Sequence, residues 1–347
     1  MNSKIKDATM QDVAQLAGVS MMTVSRVLGN EVKVREATRK KVQDAIAELG
    51  YKPNISARSL ASSKSHLIAF LYQRPREGYM GQLLVGAMAK CQTRGYNLVV
   101  SFFDDTQVDI SSALEDLIRS SRIDGVILPP PFADTDSVLD ILQRSNVPTI
   151  RISPERKECP FPSVCMDETQ AVFEMTEYLI EQGHRKIGFI KGHPDHSGTY
   201  LRFRGFKQAL EKHGVSLPAG YVQQGFYNFK SGFSAAESLL AEAERPTAIF
   251  ACNDEMAAGT VAAVQKNNLS VPGDVSVVGF DDAPIASSIW PGLTTVHQPI
   301  VEMAERAADM LIDQLTNKEA SATNEHRLRN QMDFNLVLRD TVAPPTA

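Results

Sequence analysis

The sequence predicts an all-α helix-turn-helix head with a hinge helix, joined to a two-lobed α/β body with parallel sheets. Three observations carry this reading. Two short helical patterns separated by a glycine-containing turn open the chain. From Leu67 onward, apolar runs of strand length alternate with helical patterns, in two similar sets. The charge is also divided: residues 1–66 hold 11 Lys and Arg against 6 Asp and Glu, a net of +5, while the whole 347-residue chain carries −5, which leaves −10 on the rest. A small basic head on an acidic body is the balance expected of a phosphate-binding module attached to a different one, although a solvated basic helix would give the same split. The length calls for two or three compact units, and 43% apolar residues provide ample core.

In the head, Thr9 can cap a helix whose first turn carries Asp12, and Val13, Ala14, Leu16 and Ala17 form its short apolar face. Gly18 supplies the backbone freedom of a tight interhelical turn, and Val19 fills the angle between helices. Ser20 caps a second helix with Val24, Val27 and Leu28 on one side and Met21, Met22, Thr23 and Arg26 on the other. A third helix, about Glu36 to Leu49, turns Val42, Ala45, Ile46 and Leu49 inward and Arg39, Lys40 and Lys41 outward, and Gly50 is its left-handed C-cap. Two short helices with a three-residue turn between them are the DNA-reading arrangement, in which the second helix enters the major groove. On spacing alone a generic three-helix bundle remains open.

The residues themselves go further. The run from Met10 to Ser62 contains DVAxxAGVSxxTVSRVL followed by TRxKVxxAIxELGYxPNxxARxLA, and it resembles the LacI/GalR family of bacterial repressors in order and spacing. The resemblance implies that Ser20, Thr23 and Tyr51 position the head on phosphates while Met21, Met22 and Arg26 face base edges. It implies further that Asn54 caps a short hinge helix whose Ala57 and Leu60 meet the minor groove. Arg35 stands where the family usually places a small capping hydroxyl. Chemically, an arginine can make two parallel hydrogen bonds to a guanine edge, whereas methionines would read thymine methyls or fill the groove. Leu60 lies in a polar run, SARSLASSKS, where a wedge between base steps and a local helix contact are the alternatives.

In the body, LIAFLY, NLVVSFF, GVILPP and VPTIRIS are expected as buried strands, with helices near 80–93, 107–120 and 134–145. The second set is SVCM, KIGFIKG, TAIFAC and VSVVGFD, with helices near 168–182, 200–213, 229–243 and 254–267. Such alternation means parallel sheets covered on both faces, with ligands at the C-terminal strand ends. This is the architecture of periplasmic sugar-binding proteins. Phrases such as LIEQGHRKIGFIKG, FACNDEMAAGTVAAV and LSVPGDVSVVGFDD resemble the LacI/GalR effector domain over nearly all of 67–341. The resemblance implies three crossings between lobes, near 159–164, 290–298 and 325–333, with DFNLVLRDT returning to the second lobe. The expected organisation is a DNA-binding domain at 1–53, a hinge and linker at 54–66, an effector and dimerisation domain at 67–341 and a tail at 342–347. Within the body, the first lobe is about 67–162 and 296–327, and the second about 163–293 and 328–341.

Residue types at the strand ends suit a small polar ligand. Asn253 and Asp254 follow one strand, and Asp281 and Asp282 another; Arg202 opens a helix and Tyr227 sits in a loop. By the resemblance, Arg202, Tyr227, Asn253 and Asp281 line the second-lobe side of a cleft that Tyr79 and Gln298 complete. An Arg, Asn and Asp set can pair several hydroxyls while a tyrosine face covers a sugar ring. The alternatives are an internal Arg202–Asp281 ion pair and a capping role for Asn253. Pro129 to Pro131 would make that wall less polar, and Asp104–Asp105 is a weaker candidate.

Other chemistry has little support. The four cysteines show no CxxC spacing, and His193 and His196 lack a third ligand at metal spacing, so no metal or cofactor is expected. Phosphate-loop, nucleophile-elbow and dinucleotide fingerprints are missing, so no enzyme is expected. The N-terminus lacks the apolar run of a secretory signal, which predicts a cytoplasmic regulator rather than a transport protein. The expected partners are double-stranded, pseudo-palindromic operator DNA, a sugar or sugar phosphate, and a second copy of the chain; the short VAPPTA tail leaves no room for a tetramerising coiled coil.

Overall fold

A computed structural model describes residues 8–28, 34–51, 64–73, 77–103, 110–156, 158–316 and 329–346. The chain divides into two units, Met1–His66 and Leu67–Ala347. In the first, α1 (Met10–Ala17), α2 (Met21–Leu28) and α3 (Glu36–Leu49) surround a small core of Val13, Ala14, Val24, Val27, Val42, Ala45 and Tyr51. Thr9 forms a capping box: its backbone N–H donates to Asp12 Oδ2 at 2.8 Å, and the Asp12 N–H donates to Thr9 Oγ1 at 3.3 Å. Gly18 ends α1 at φ +66°, where a side chain would be strained, and this turn sets the angle to α2.

The second unit holds two parallel sheets. β1 (Leu67–Gln73), β2 (Asn97–Phe103), β3 (Gly125–Leu128), β4 (Thr149–Ile152), β5 (Ser163–Met166) and a late strand, β11 (Arg329–Met332), form the first, in the order β11-β5-β4-β3-β1-β2. Its helices are α4 (Glu77–Thr93), α5 (Ile110–Ser121), α6 (Asp136–Arg144) and α12 (Ile300–Thr316). In β1, Ile68 and Phe70 join one core with residues of α4 and α12, while Ala69 and Leu71 join another with residues of α5 and α6. Because alternate side chains point to opposite faces and both faces are covered, β1 reads as an unbroken apolar run.

The second sheet, ordered β7-β6-β8-β9, consists of β6 (Ile187–Lys191), β7 (Val222–Gln224), β8 (Ala248–Ala251) and β9 (Ser276–Val278). It packs with α7 (Glu168–Glu181), α8 (Ser197–Lys212), α9 (Phe229–Leu240) and α10 (Asp254–Lys266) around Phe189, Phe206 and Phe250. A short helix, α11 (Pro284–Ser288), follows β9, and β10 (Thr295–His297) pairs antiparallel with β12 (Asn335–Val337).

Two expectations are corrected. SVCM, placed in the second set, is β5 and bonds to β4 and β11 in the first sheet, so the first lobe extends to Met166 and the chain crosses just before α7. Residues 329–332, also expected in the second lobe, are the edge strand β11 of the first sheet. An RNQM edge strand has no apolar run to betray it, and a four-residue strand does not reveal which sheet it joins. The last crossing therefore falls between β11 and β12.

Close helix packing yields one prediction. A Cβ at Gly259 in α10 would lie 2.2 Å from the Phe229 carbonyl oxygen, and one at Gly232 in α9 would lie 2.3 Å from that of Met256. Backbone atoms cannot retreat as a side-chain tip can, so Gly259→Ala should separate α9 from α10 and destabilise by about 2–3 kcal/mol in urea unfolding. An unchanged midpoint would mean that the two helices are not held this closely.

Candidate functional site

Two surfaces gather the candidate residues, one on each unit. On the head, Ser20 begins α2 by accepting the Thr23 N–H at 3.2 Å, and the two hydroxyls lie 3.0 Å apart. The buried Val24 and Val27 fix the rotation of α2, so Met21 (52% exposed), Met22 (65%) and Arg26 face solvent together. This places a cation, two soft apolar tips and two hydroxyls on one side of a helix, a set able to meet base edges and flanking phosphates. Tyr51, expected to position the head on phosphates, is 7% exposed and belongs to the head core. Arg35 occupies the N-cap position of α3 and makes no side-chain capping bond. Asn54, Ala57 and Leu60 lie outside the described residues, as do Asp104 and Asp105.

In the second unit a cleft open to solvent is walled by residues at the ends of both sheets. Gln73 and Ser153 come from the ends of β1 and β4, and Tyr79 and Met80 from α4. Arg202 on α8, Asn253 after β8 and Asp281 after β9 face them. All the loops involved follow C-terminal strand ends, where parallel sheets expose polar backbone and helix N-termini. Tyr79, Arg202, Tyr227, Asn253 and Asp281 are thus brought together as the sequence implied.

Arg202 is the electrostatic centre. Its Nε donates to Glu168 Oε2 at 2.7 Å, and an Nη1 donates to the Cys252 carbonyl and lies 3.8 Å from Asp281 Oδ1. Its flat face rests 3.7 Å from the Phe280 ring centroid. Burial by itself would lower the Arg202 pKa, but Glu168, then Tyr227 and Asp281, outweigh it and hold the guanidinium firmly charged. The anticipated Arg202–Asp281 pair is therefore the weaker contact, and Glu168 is the principal partner. Burial raises the Tyr79 phenol well above its ordinary value despite its contact with Ser153, so it remains a hydrogen-bond donor.

The other walls have mixed duties. Asn253 caps α10, its Oδ1 accepting the Met256 N–H at 3.1 Å while its amide donates to the Tyr227 carbonyl at 3.2 Å; it still lines the cleft. The Tyr227 ring packs where a Cβ at Gly192 would fall 2.0 Å from its Cζ, and its hydroxyl is 2.9 Å from Thr199 Oγ1. Asp281 stands at φ +113°, an uncommon conformation for a non-glycine residue that turns its carboxylate into the cleft. Its neighbour Asp282 turns away, accepting Arg339 at 2.7 Å and meeting His297 Nδ1 at 3.2 Å. Asp254 is wholly buried, accepting Thr295 Oγ1 at 2.6 Å and the Ala283 N–H at 2.7 Å; burial, then nearby Asp281, pushes its pKa well up.

Gln298 is a correction. It is 1% exposed, its amide nitrogen points to Met303 Sδ at 3.7 Å, and it is not part of the cleft wall. Its link to the site runs through its N–H, which donates to the Asp281 carbonyl at 3.4 Å. Conversely, sequence reasoning missed Glu168, Ser153, Glu255 and His196. Glu168 follows β5, and assigning that strand to the first sheet would have marked it as a crossover residue at a strand end. His196 is 7% exposed and packs edge-on against Tyr227. Among the described residues, no group of three or more His, Cys, Asp or Glu is arranged to hold a metal ion, and no helix is long and apolar enough to cross a membrane.

The description "Bacterial regulatory proteins, lacI family" matches residues 9–54, and "Periplasmic binding protein-like domain" matches residues 176–342. The ribose operon repressor of Escherichia coli (strain K12) is 37% identical over 314 residues, covering 89% of this chain and 93% of that protein. Among solved structures, a lac repressor dimer bound to operator and the anti-inducer ONPF superposes with a TM-score of 0.78 at 29% identity, covering 97% of this chain and all of that one. A complex of the transcriptional regulator CelR with cellobiose gives a TM-score of 0.72 at 28% identity, over 96% of this chain and all of that one.

Proposed function

Because the chain belongs to the LacI family of bacterial regulatory proteins, and is thus a DNA-binding transcriptional regulator, we propose that it is a cytoplasmic homodimeric repressor whose affinity for a pseudo-palindromic operator is set by a sugar-type effector in the cleft. The observation that carries the reading is the convergence of Arg202, Asn253 and Asp281 with two tyrosines at strand ends of both lobes. Placed polar groups on aromatic walls are what a polyhydroxylated ring needs. The named relatives agree in kind, one being a ribose operon repressor and another a regulator complexed with cellobiose.

The route from cleft to operator follows from connectivity. The first lobe begins at β1, and the segment before it, 54–66, is the expected hinge. A helix that short is unstable alone and needs its twin and the minor groove. A ligand that changes how the two lobes close changes the separation of two hinges in a dimer, and thereby operator affinity. A thermal-shift screen of sugars and sugar phosphates, followed by operator binding with and without each hit, tests the reading. Ligand binding with no effect on DNA, or steady turnover of the ligand, would overturn it.

Self-association is supported by the edge of the first sheet. β2 is its terminal strand and leaves Val100 (48%) and Phe102 (57%) exposed, and α4 leaves Val85 and Met88 exposed. Apolar residues on an open sheet edge call for a partner. Sedimentation at micromolar concentration should give a dimer; a stable tetramer or a lone monomer would contradict this. On the head, Arg26→Ala should cost about 1–3 kcal/mol in operator binding and relax preference at one base position, whereas loss of a phosphate contact weakens all sequences alike. A uniform loss across operator variants would reassign Arg26 to the backbone.

A further inference from the structure

Asp281 and Asp282 are adjacent and both stand at positive φ, +113° and +55°. Two such residues in succession turn the chain so sharply that the neighbouring carboxylates part. Asp281 lines the cleft, while Asp282 points to the strands that join the lobes. Asp282 Oδ1 accepts Arg339 Nη2 at 2.7 Å, and Oδ2 lies 3.2 Å from His297 Nδ1. These partners belong to two different crossings. His297 ends β10, and only Gln298 and Pro299 separate it from α12 of the first lobe. Arg339 follows β12, and only Asp333 and Phe334 separate that strand from β11 of the first sheet. One carboxylate therefore joins both chains close to where they pass between the lobes.

The surroundings hold this bridge in place. Arg339 is oriented by two further bonds, its Nη1 donating to the Leu293 carbonyl at 2.8 Å and its backbone N–H to Thr294 Oγ1 at 2.9 Å. The carboxylate and guanidinium are 20% and 25% exposed, so water screens their attraction only in part. Asp281 is attached to the same place through its backbone, its N–H donating to the Val296 carbonyl at 2.9 Å and its carbonyl accepting the Gln298 N–H at 3.4 Å. The loop that lines the cleft and the strands that join the lobes thus share one junction. A ligand shifts an equilibrium between lobe arrangements only through contacts that differ between them, and this junction is where a movement of Asp281 reaches β10 and β12.

We propose that Asp282 is a positioning residue: bridged to Arg339 and His297, it passes occupancy of the cleft to both crossings. It thereby sets how strongly an effector changes operator affinity, while touching neither effector nor DNA. This rests on the cleft being the effector site and adds how that site is coupled to the lobes.

The test uses the full-length protein and a DNA duplex that it selects from a random-sequence pool. Fluorescence anisotropy gives duplex affinity without and with D-ribose, D-glucose, D-fructose, cellobiose, ribose 5-phosphate, glucose 6-phosphate and fructose 6-phosphate, and calorimetry gives the Kd of each probe. In the parent, the most effective probe should change duplex affinity by about 5–150-fold. In Asp282→Asn and in Arg339→Gln that factor should fall below about 2. The probe's Kd should stay within about fivefold, and probe-free duplex affinity within about threefold, of the parent values. Arg339→Lys, which keeps one charged donor, should respond between these limits. A merely structural bridge would lower the urea midpoint but leave the factor unchanged, because the factor compares two states of the same folded protein.

Variants that respond as the parent does overturn the proposal and leave the effector reading intact. A response lost only because the probe no longer binds overturns it too, and places Asp282 in the ligand site. If Asp282→Asn fails to fold, Arg339→Gln and His297→Gln decide: each removes one arm of the bridge, and a full response in both overturns the proposal. A parent protein that responds to none of the probes overturns the effector reading and this proposal with it.

Discussion

Glu168→Ala should destabilise the body by about 3–5 kcal/mol, the largest single-residue loss expected in this chain. The carboxylate is 3% exposed and holds Arg202, itself 6% exposed, at 2.7 Å. Its removal leaves a buried guanidinium with the Cys252 carbonyl, the Phe280 face and a distant Asp281 carboxylate as compensation. Replacing both partners is a different matter, because two apolar side chains carry no charge to desolvate. Glu168→Leu/Arg202→Met should therefore recover much of the stability lost in Glu168→Ala while binding no effector. Urea unfolding followed by fluorescence measures both; a double variant as unstable as the single one would show that packing, not charge, makes Glu168 necessary. Glu168 also begins α7 just after the crossing from β5, so the pair ties the crossover to the ligand site.

Local features were legible in the sequence because they depend on neighbours along the chain. The Thr9–Asp12 box, the Gly18 turn and the rotation of α2 that exposes Met21, Met22 and Arg26 all follow from spacing. The cleft was partly legible for a topological reason: a polar residue directly after an apolar strand of a parallel sheet points to the shared ligand edge, which marked Asn253 and Asp281. Direction beyond the first residue was not legible. Gln298 follows β10 directly, closer than Asp281 follows β9, yet its side chain turns toward Met303 on α12. His196 packs edge-on against Tyr227, distant in sequence, and Tyr51 joins a core drawn from all three head helices, so neither burial follows from its own neighbourhood. One neighbour of β5 in the sheet is β11, more than 160 residues later and polar except for Met332, so Glu168 could not be placed at the site from its own neighbourhood.

Asp281→Ala should abolish the effector response while leaving operator binding by the free protein within about threefold of normal. In the folded body the Asp281 N–H donates to the Val296 carbonyl at 2.9 Å and its own carbonyl accepts the Gln298 N–H at 3.4 Å, so its backbone is held independently of the side chain. The carboxylate is thereby left to face the cleft. Losing two charge-assisted hydrogen bonds to a ligand, each worth about 1.5–3 kcal/mol, weakens binding by about a hundredfold or more. The positive φ strains alanine, so Asp281→Asn, which tolerates that region better, separates loss of charge from loss of backbone geometry. The head is a separate compact unit, so if α2 meets DNA as proposed, operator binding by the free protein should survive the change. Linkage then imposes a second, independent readout: whatever factor the ligand changes in operator affinity, operator must change in ligand affinity, and in Asp281→Asn both factors should fall to one together. A variant that keeps the parent response would remove Asp281 from the ligand site. One that folds but fails to bind operator without ligand would make Asp281 part of the DNA-competent state itself, with its strain holding the lobes in place.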